Sequence, residues 1–207
     1  GLLKAARDAG VKRFINASTG GAILGDRTPP INEEMAAQPI SPYGAAKLAV
    51  EGYCSAFQGA YGLGTVSLRF SNIYGPRSFH KGSVVAHFFR SIINGQPLTV
   101  YGDGTQQRDY LFVSDLTKGI RLALDSEKTG VFQLGSGIPT SINVLLDHMR
   151  TITGGFHELE VRHEDFRDGE VRDTWCDVTK AKDDLGFIAP TALDVGLRDT
   201  WNWFLSA

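Results

Sequence analysis

The sequence predicts an α/β fold, a doubly wound parallel sheet with a smaller mixed α/β lobe. Two observations predict it. Short apolar, β-rich runs at Arg13–Ala17, Thr65–Phe70 and Val131–Leu134 alternate with segments of helical composition, the pattern of parallel strands joined by crossover helices. After Gly75, further short pieces interrupt that alternation and supply material for a second lobe.

Each element has a local reason. Gly1 to Gly10 reads as the last turns of a helix ended by Gly10, and Val11, Phe14 and Ile15 open the next strand. Ser41-Pro42 closes an extended segment, because a residue before proline is pushed out of the α region. A helix follows from near Tyr43 to about Tyr61, ahead of Gly62. Thr65–Phe70 reads as a buried strand. Residues 82–94 form a helical pattern, Gly95-Gln96-Pro97 breaks it, and Leu98–Tyr101 is a short strand. Ser114 or Asp115 is the expected cap of a helix ending near Ser126. Val131–Leu134 stops at Gly135, Ser141 caps a helix to about Thr153, and Leu159 and Val161 alternate within a polar stretch. Val195–Leu205 closes the chain as a helix. There is no internal repeat and no low-complexity segment.

Composition narrows the partners. With 42% hydrophobic and 21% charged residues over 207 positions, there is ample material for a core. A formal charge of −2 provides no basic field, so nucleic acid is not an expected partner. No stretch approaches the roughly 18 consecutive apolar residues of a membrane helix, and no charged-then-apolar leader is apparent, so no membrane partner is expected. Cys54 and Cys176 are too few and too distant in sequence for a disulfide framework or a metal cluster, and no metal site is expected. Both read as free thiols in a reducing cytoplasm.

The chemistry lies in Ser41-Pro42-Tyr43-Gly44-Ala45-Ala46-Lys47. A spacing of four puts the phenol and the ammonium on one helical face. A phenol titrating near about 10 is a poor base at neutral pH, but a neighbouring cation favours the phenolate. Tyr43 is therefore a candidate general acid/base. Taken alone, Tyr-x-x-x-Lys is more often a packed ring beside a solvated amine. Here it has company: Ser18-Thr19 at a strand end before it, then Arg69-Phe70-Ser71-Asn72-Ile73-Tyr74-Gly75-Pro76 after it.

In that order, these segments resemble the extended short-chain dehydrogenase/reductase family, specifically its nucleotide-sugar epimerases and dehydratases of the UDP-glucose 4-epimerase-like kind. The resemblance continues through Val100 to Tyr110 and Leu134-Gly135-Ser136-Gly137 and reaches Trp201. It implies NAD as cofactor, a nucleotide-sugar substrate and a homodimer. Tyr43 would remove a proton from a sugar hydroxyl as hydride leaves the same carbon; Lys47 would favour the phenolate and bind the nicotinamide ribose. Phe70 is a further cofactor contact. Thr19 or Ser18 would hold the reacting oxygen, and Thr19 is preferred. Asn72, Arg108 and Arg167 match the family's substrate ligands, guanidinium groups being suited to paired contacts with phosphate oxygens. Val85 and Phe89 are candidates for the base pocket, and Tyr101 is a further substrate-binding candidate. Residues 1–75 would form the C-terminal part of an NAD-binding domain with the catalytic residues. Residues 76–207 would form the substrate lobe, with 110–135 returning to the NAD-binding sheet. Gly20, Gly21 and Gly25 lack the dinucleotide-binding glycine spacing. In the family that fingerprint lies upstream of the equivalent of Gly1, so the chain is expected to be N-terminally incomplete.

Three reactions compete under this resemblance. The 4,6-dehydratases carry an Asp-Glu pair where this chain has Gly20-Gly21, and the decarboxylases flank the lysine with glycine and arginine where Ala46 and Leu48 stand. Epimerisation at C4 is left as the best reading, with 4-ketoreduction as an alternative using the same tyrosine and lysine. A catalytically idle nucleotide-binding subunit is the alternative of another class. Thr174 stands where a large aromatic would exclude a C2 N-acetyl group, so N-acetylated hexoses are expected to fit.

Overall fold

The computed structural model describes residues 1–154, 160–166 and 170–206. In chain order the elements are α1 (Leu2–Asp8), β1 (Arg13–Thr19), α2 (Gly20–Leu24), α3 (Pro42–Tyr61), β2 (Gly64–Phe70), β3 (Asn72–Tyr74), α4 (Val84–Ile93) and β4 (Leu98–Tyr101). They continue with β5 (Gln107–Phe112), α5 (Val113–Asp125), β6 (Gly130–Leu134), β7 (Pro139–Ser141), α6 (Ile142–Thr153), β8 (Val161–Glu164), α7 (Thr179–Leu185) and α8 (Leu193–Ser206).

The architecture is α/β, built on a parallel sheet of order β1-β2-β6. Alternation along β2 decides what covers each face. Val66 and Leu68 pack with Phe132, Leu134, Leu116, Ala181 and Leu185 beneath α5 and α7. Thr65 and Arg69 point the other way, donating to Cys54 O and to Glu51 on α3. Helices therefore cover both faces. α3 begins as expected: Ser41 Oγ accepts from Gly44 N at 3.1 Å, Pro42 sits in the first turn, and Gly62 ends the helix at φ 69°.

A second core lies between α4, α6 and α8, with Phe89, Trp201, Phe204, Leu145 and Met149 at its centre. The wall between the two cores is β3-β5-β7. Tyr74, Tyr110 and Phe112 face the second core, whereas Leu111 belongs to the first and Ile73 packs against it.

The structure differs from the sequence reading in several places. The α5 helix starts at Val113 after Phe112, so neither Ser114 nor Asp115 is its cap. Asp115 is instead buried in the first turn, where it accepts from Thr191 N at 3.0 Å and pairs with Lys118 at 3.3 Å. Gln107–Phe112 is a strand although it opens with three polar residues. Its polar half is satisfied by tertiary partners: buried Asp109 accepts from Ser136 N and Oγ at 2.7 Å each, Gly137 N at 3.0 Å and Cys176 N at 3.2 Å. Leu159 and Arg167 lie outside the described residues, while Val161 opens β8 against β4. Among the described residues no helix is long and apolar enough to cross a membrane.

Candidate active site

The C-terminal ends of β1 and β2 open into a cleft, where ligands of open parallel sheets commonly bind. Two adjoining cavities form it, of about 290 Å³ and about 600 Å³, and Thr19, Ser71, Asn72, Arg108 and Glu170 line both. Thr19 is the last residue of β1 and precedes α2 with extended backbone, its side chain making no cap hydrogen bond. Ser18 faces the opposite way, where its Oγ donates to Glu51 Oε1 at 2.6 Å in a buried site. Strand alternation thus separates the two candidates, with Thr19 in the cleft and Ser18 behind it.

Tyr43 stands in the first turn of α3, 57% exposed, and lines the larger cavity. Lys47 Nζ lies 5.7 Å from its ring centroid and donates to Ala17 O at 3.0 Å, holding the ammonium beside the end of β1. Gly44 is required between them, because a Cβ there would collide with the Ala22 carbonyl of α2. Phe70, paired with Thr19 in the strand register, lines the smaller cavity.

Across the cleft, Asn72 Nδ2 donates to Asp109 O at 3.2 Å. The Arg108 guanidinium, 11% exposed, pairs with Glu170 Oε1 at 2.7 Å and donates to Arg172 O at 2.5 Å. Thr174 reaches the same cavity through a bridge to Arg108, its backbone N–H bonding Gln107 O at 3.0 Å. A Cβ at Gly21 would stand 3.0 Å from Thr174 Oγ1, so the small residues at both positions face each other. Val85 and Tyr101 line the larger cavity with Thr99 and Phe88. Phe89 does not: it is fully buried against Trp201, 5.2 Å between ring centroids. Both rings belong to the second core, and of the two only Phe88 also lines the cleft.

Four side chains that sequence reasoning passed over also line the larger cavity. Ser71 Oγ, Ser83 Oγ, Gln106 Oε1 and Tyr110 OH are buried there without a hydrogen-bond partner. Native proteins seldom leave such atoms unsatisfied unless a ligand or water meets them. Burial pushes the Tyr110 phenol up, so it stays protonated and available as a donor. Ser71 falls within the Arg69–Pro76 segment, and Gln106 and Tyr110 within Val100–Tyr110, but nothing in either segment marks these atoms as unpartnered. Among the described residues no cluster of His, Cys, Asp and Glu could hold a metal ion.

A Tyr-x-x-x-Lys helix packed on the ends of a parallel sheet defines the short-chain dehydrogenase/reductase class. Within it, residues 1–135 match the NAD dependent epimerase/dehydratase family, and the chain belongs to that family. It is 34% identical to the UDP-glucose 4-epimerase of Mycolicibacterium smegmatis, over 98% of this chain and 66% of that protein. The structure is similar to UDP-glucose 4-epimerase of Thermotoga maritima crystallised with UDP-glucose: TM-score 0.93 and 38% identity, over 99% of this chain and 67% of that one. It is equally similar, at TM-score 0.93 and 30% identity, to UDP-N-acetylglucosamine 4-epimerase of Methanobrevibacter ruminantium M1 in complex with UDP-N-acetylmuramic acid, over 99% of this chain and 66% of that one. The chain thus spans about two thirds of the length of the relatives it matches.

Proposed function

We propose that this chain carries the catalytic and substrate-binding part of an NAD-dependent nucleotide-sugar epimerase, acting at C4 of a UDP-hexose or UDP-N-acetylhexosamine through a 4-keto intermediate. The observation that carries it is one cleft lined by Thr19, Tyr43, Asn72 and Arg108, with Lys47 beside the Tyr43 ring and bonded to Ala17 O at the end of β1. Tyr43 takes the proton of the C4 hydroxyl and returns it, while Thr19 donates to the same oxygen. Tyr43, Lys47 and Phe70 fit the nicotinamide end of NAD, because the phenol is exposed and Phe70 ends β2 opposite Thr19 in the adjoining cavity. Bound NAD supplies hydride acceptance at C4 and hydride return. Arg108 meets the diphosphate in place of Glu170, and Arg167, outside the described residues, is proposed as its second cation. Val85 and Tyr101 flank the base.

Two glycines speak against dehydration. Gly20 and Gly21 supply neither carboxyl group of the dehydratases' Asp-Glu pair, and a Cβ at Gly20 would require the ends of the Gln133 and Ile31 side chains to shift. We read residues 1–75 as the end of the NAD-binding domain and 76–207 as the substrate lobe, with 110–135 returning; the two separate cores support the division. Exposed Val50, Tyr53 and Tyr61 on α3 support a homodimer, to be checked by sedimentation. The free thiols Cys54 and Cys176 accord with a cytoplasmic setting.

The test is turnover of the NAD-supplemented protein on UDP-, GDP- and dTDP-sugars. Tyr43→Phe should lose at least about 10²-fold in kcat while still binding UDP. Near wild-type turnover would exclude Tyr43 as the acid/base. Reduction of a keto sugar without interconversion of epimers would indicate a ketoreductase instead.

A further inference from the structure

We infer that Glu51 is a positioning residue for the reaction proposed above, setting the rotation of α3 so that Tyr43 and Lys47 meet the end of β1. The inference rests on that reading of the reaction. Glu51 lies one turn beyond Lys47 on the same helix face. Its Oε1 accepts from Ser18 Oγ at 2.6 Å and Arg69 Nε at 3.0 Å, and its Oε2 accepts from Arg69 Nη2 at 2.8 Å. Both charged side chains are 6% exposed.

The partners are placed tellingly. Ser18 and Arg69 oppose each other in the β1–β2 register, and the next opposed pair is Thr19 and Phe70. The two residues that hold Glu51 therefore directly precede the two that line the cleft. Lys47 adds a second attachment, to Ala17 O at 3.0 Å. Consecutive residues of β1 are thus tied to residues one turn apart on α3.

Within this chain, packing holds the helix at few points. Of its 20 residues only Gly44, Glu51 and Cys54 are buried, and two of those are small. A buried ion pair is a poor source of stability, since apolar groups of equal volume often serve as well. What the bidentate guanidinium–carboxylate fork supplies is orientation. At a radius of about 5–6 Å, a 20° rotation of a helix moves a side chain by about 2 Å. Misplacement by about 1 Å can cost about 10²-fold in rate.

The test compares NAD-supplemented wild type, Tyr43→Phe, Glu51→Gln and the double variant Glu51→Met/Arg69→Met on UDP-glucose. The double variant removes both charges at similar volume, so it should keep its far-UV spectrum. Its kcat should fall about 10²-fold with KM for UDP-glucose and Kd for UDP within about twofold, because Arg108 and Asn72 lie outside α3. Glu51→Gln, which keeps Oε1 as acceptor for Ser18 Oγ and Arg69 Nε but turns an NH2 toward Arg69 Nη2, should fall less in kcat than the double variant. Wild-type kcat in the double variant would overturn the inference. So would an equal loss in kcat and UDP affinity, or unfolding of both variants, either of which marks a purely structural pair. If wild type and Tyr43→Phe turn over alike, the reaction reading itself fails, and that result is distinct from any of these.

Discussion

Arg108 shows how one residue's surroundings prepare its chemistry. In the structure its guanidinium, at the wall of the cleft, is held by a carboxylate and two carbonyls. Arg108→Ala should raise KM for a nucleotide-sugar by the equivalent of roughly 1.5–3 kcal/mol while leaving NAD affinity unchanged; titration with each ligand checks it. The proposal that Thr174 gates the sugar end rests on its place opposite Gly21 in the smaller cavity. The wild type should accept UDP-N-acetylglucosamine at a kcat/KM comparable to UDP-glucose, and Thr174→Tyr should cut only the former, by about 10–200-fold. Equal acceptance by the tyrosine variant would place the gate elsewhere. Burial raises the thiols of Cys54 and Cys176, the latter further disfavoured as thiolate by Asp109 and Glu33. Because thiolate is the reactive form, a raised pKa lowers its share at any pH below it. Iodoacetamide at pH 8 should leave both unmodified in the native protein and modify both in denaturant, as mass spectrometry would show.

At the scale of elements, α3 is the part that must be right. Its start is local: Ser41 caps it and Pro42 suits its first turn, and Ser41→Ala should cost about 1 kcal/mol, read as a shift in Tm. Its seating is not local. Gly44 allows the helix to approach α2, and Gly44→Ala must push the first turn, with Tyr43 in it, away from Ala22. We expect kcat to fall by up to about 10²-fold, with KM for the nucleotide-sugar little changed. A variant with unchanged kcat would show that α2 yields rather than α3. The extent of α3, α6 and α8 was readable because caps, breakers and apolar spacing agree there. β5 was missed because its pattern is split between two environments: Tyr110 and Phe112 serve one core, Leu111 the other, and Asp109 is buried on backbone donors.

At the scale of the molecule, that shared strand should couple the two cores. Leu111 is fully buried in the sheet core, whereas Trp201 and Trp203 report on the other. Leu111→Ala should destabilise by about 2–5 kcal/mol, and the shift should appear alike in far-UV circular dichroism and in tryptophan fluorescence. A fluorescence midpoint that stays put would mean the cores unfold independently.

The sequence by itself determined the α/β class and the helix that carries Tyr43 and Lys47, because capping, proline and glycine effects and a spacing of four act over a few residues. Only the tertiary structure decided that Thr19 and not Ser18 faces the cleft, that Phe88 and not Phe89 lines it, and that Glu51 and Arg69 meet beneath the site. Each of those depends on which face of a strand or helix is covered by an element far away in sequence, and that choice is made by packing rather than by local propensity.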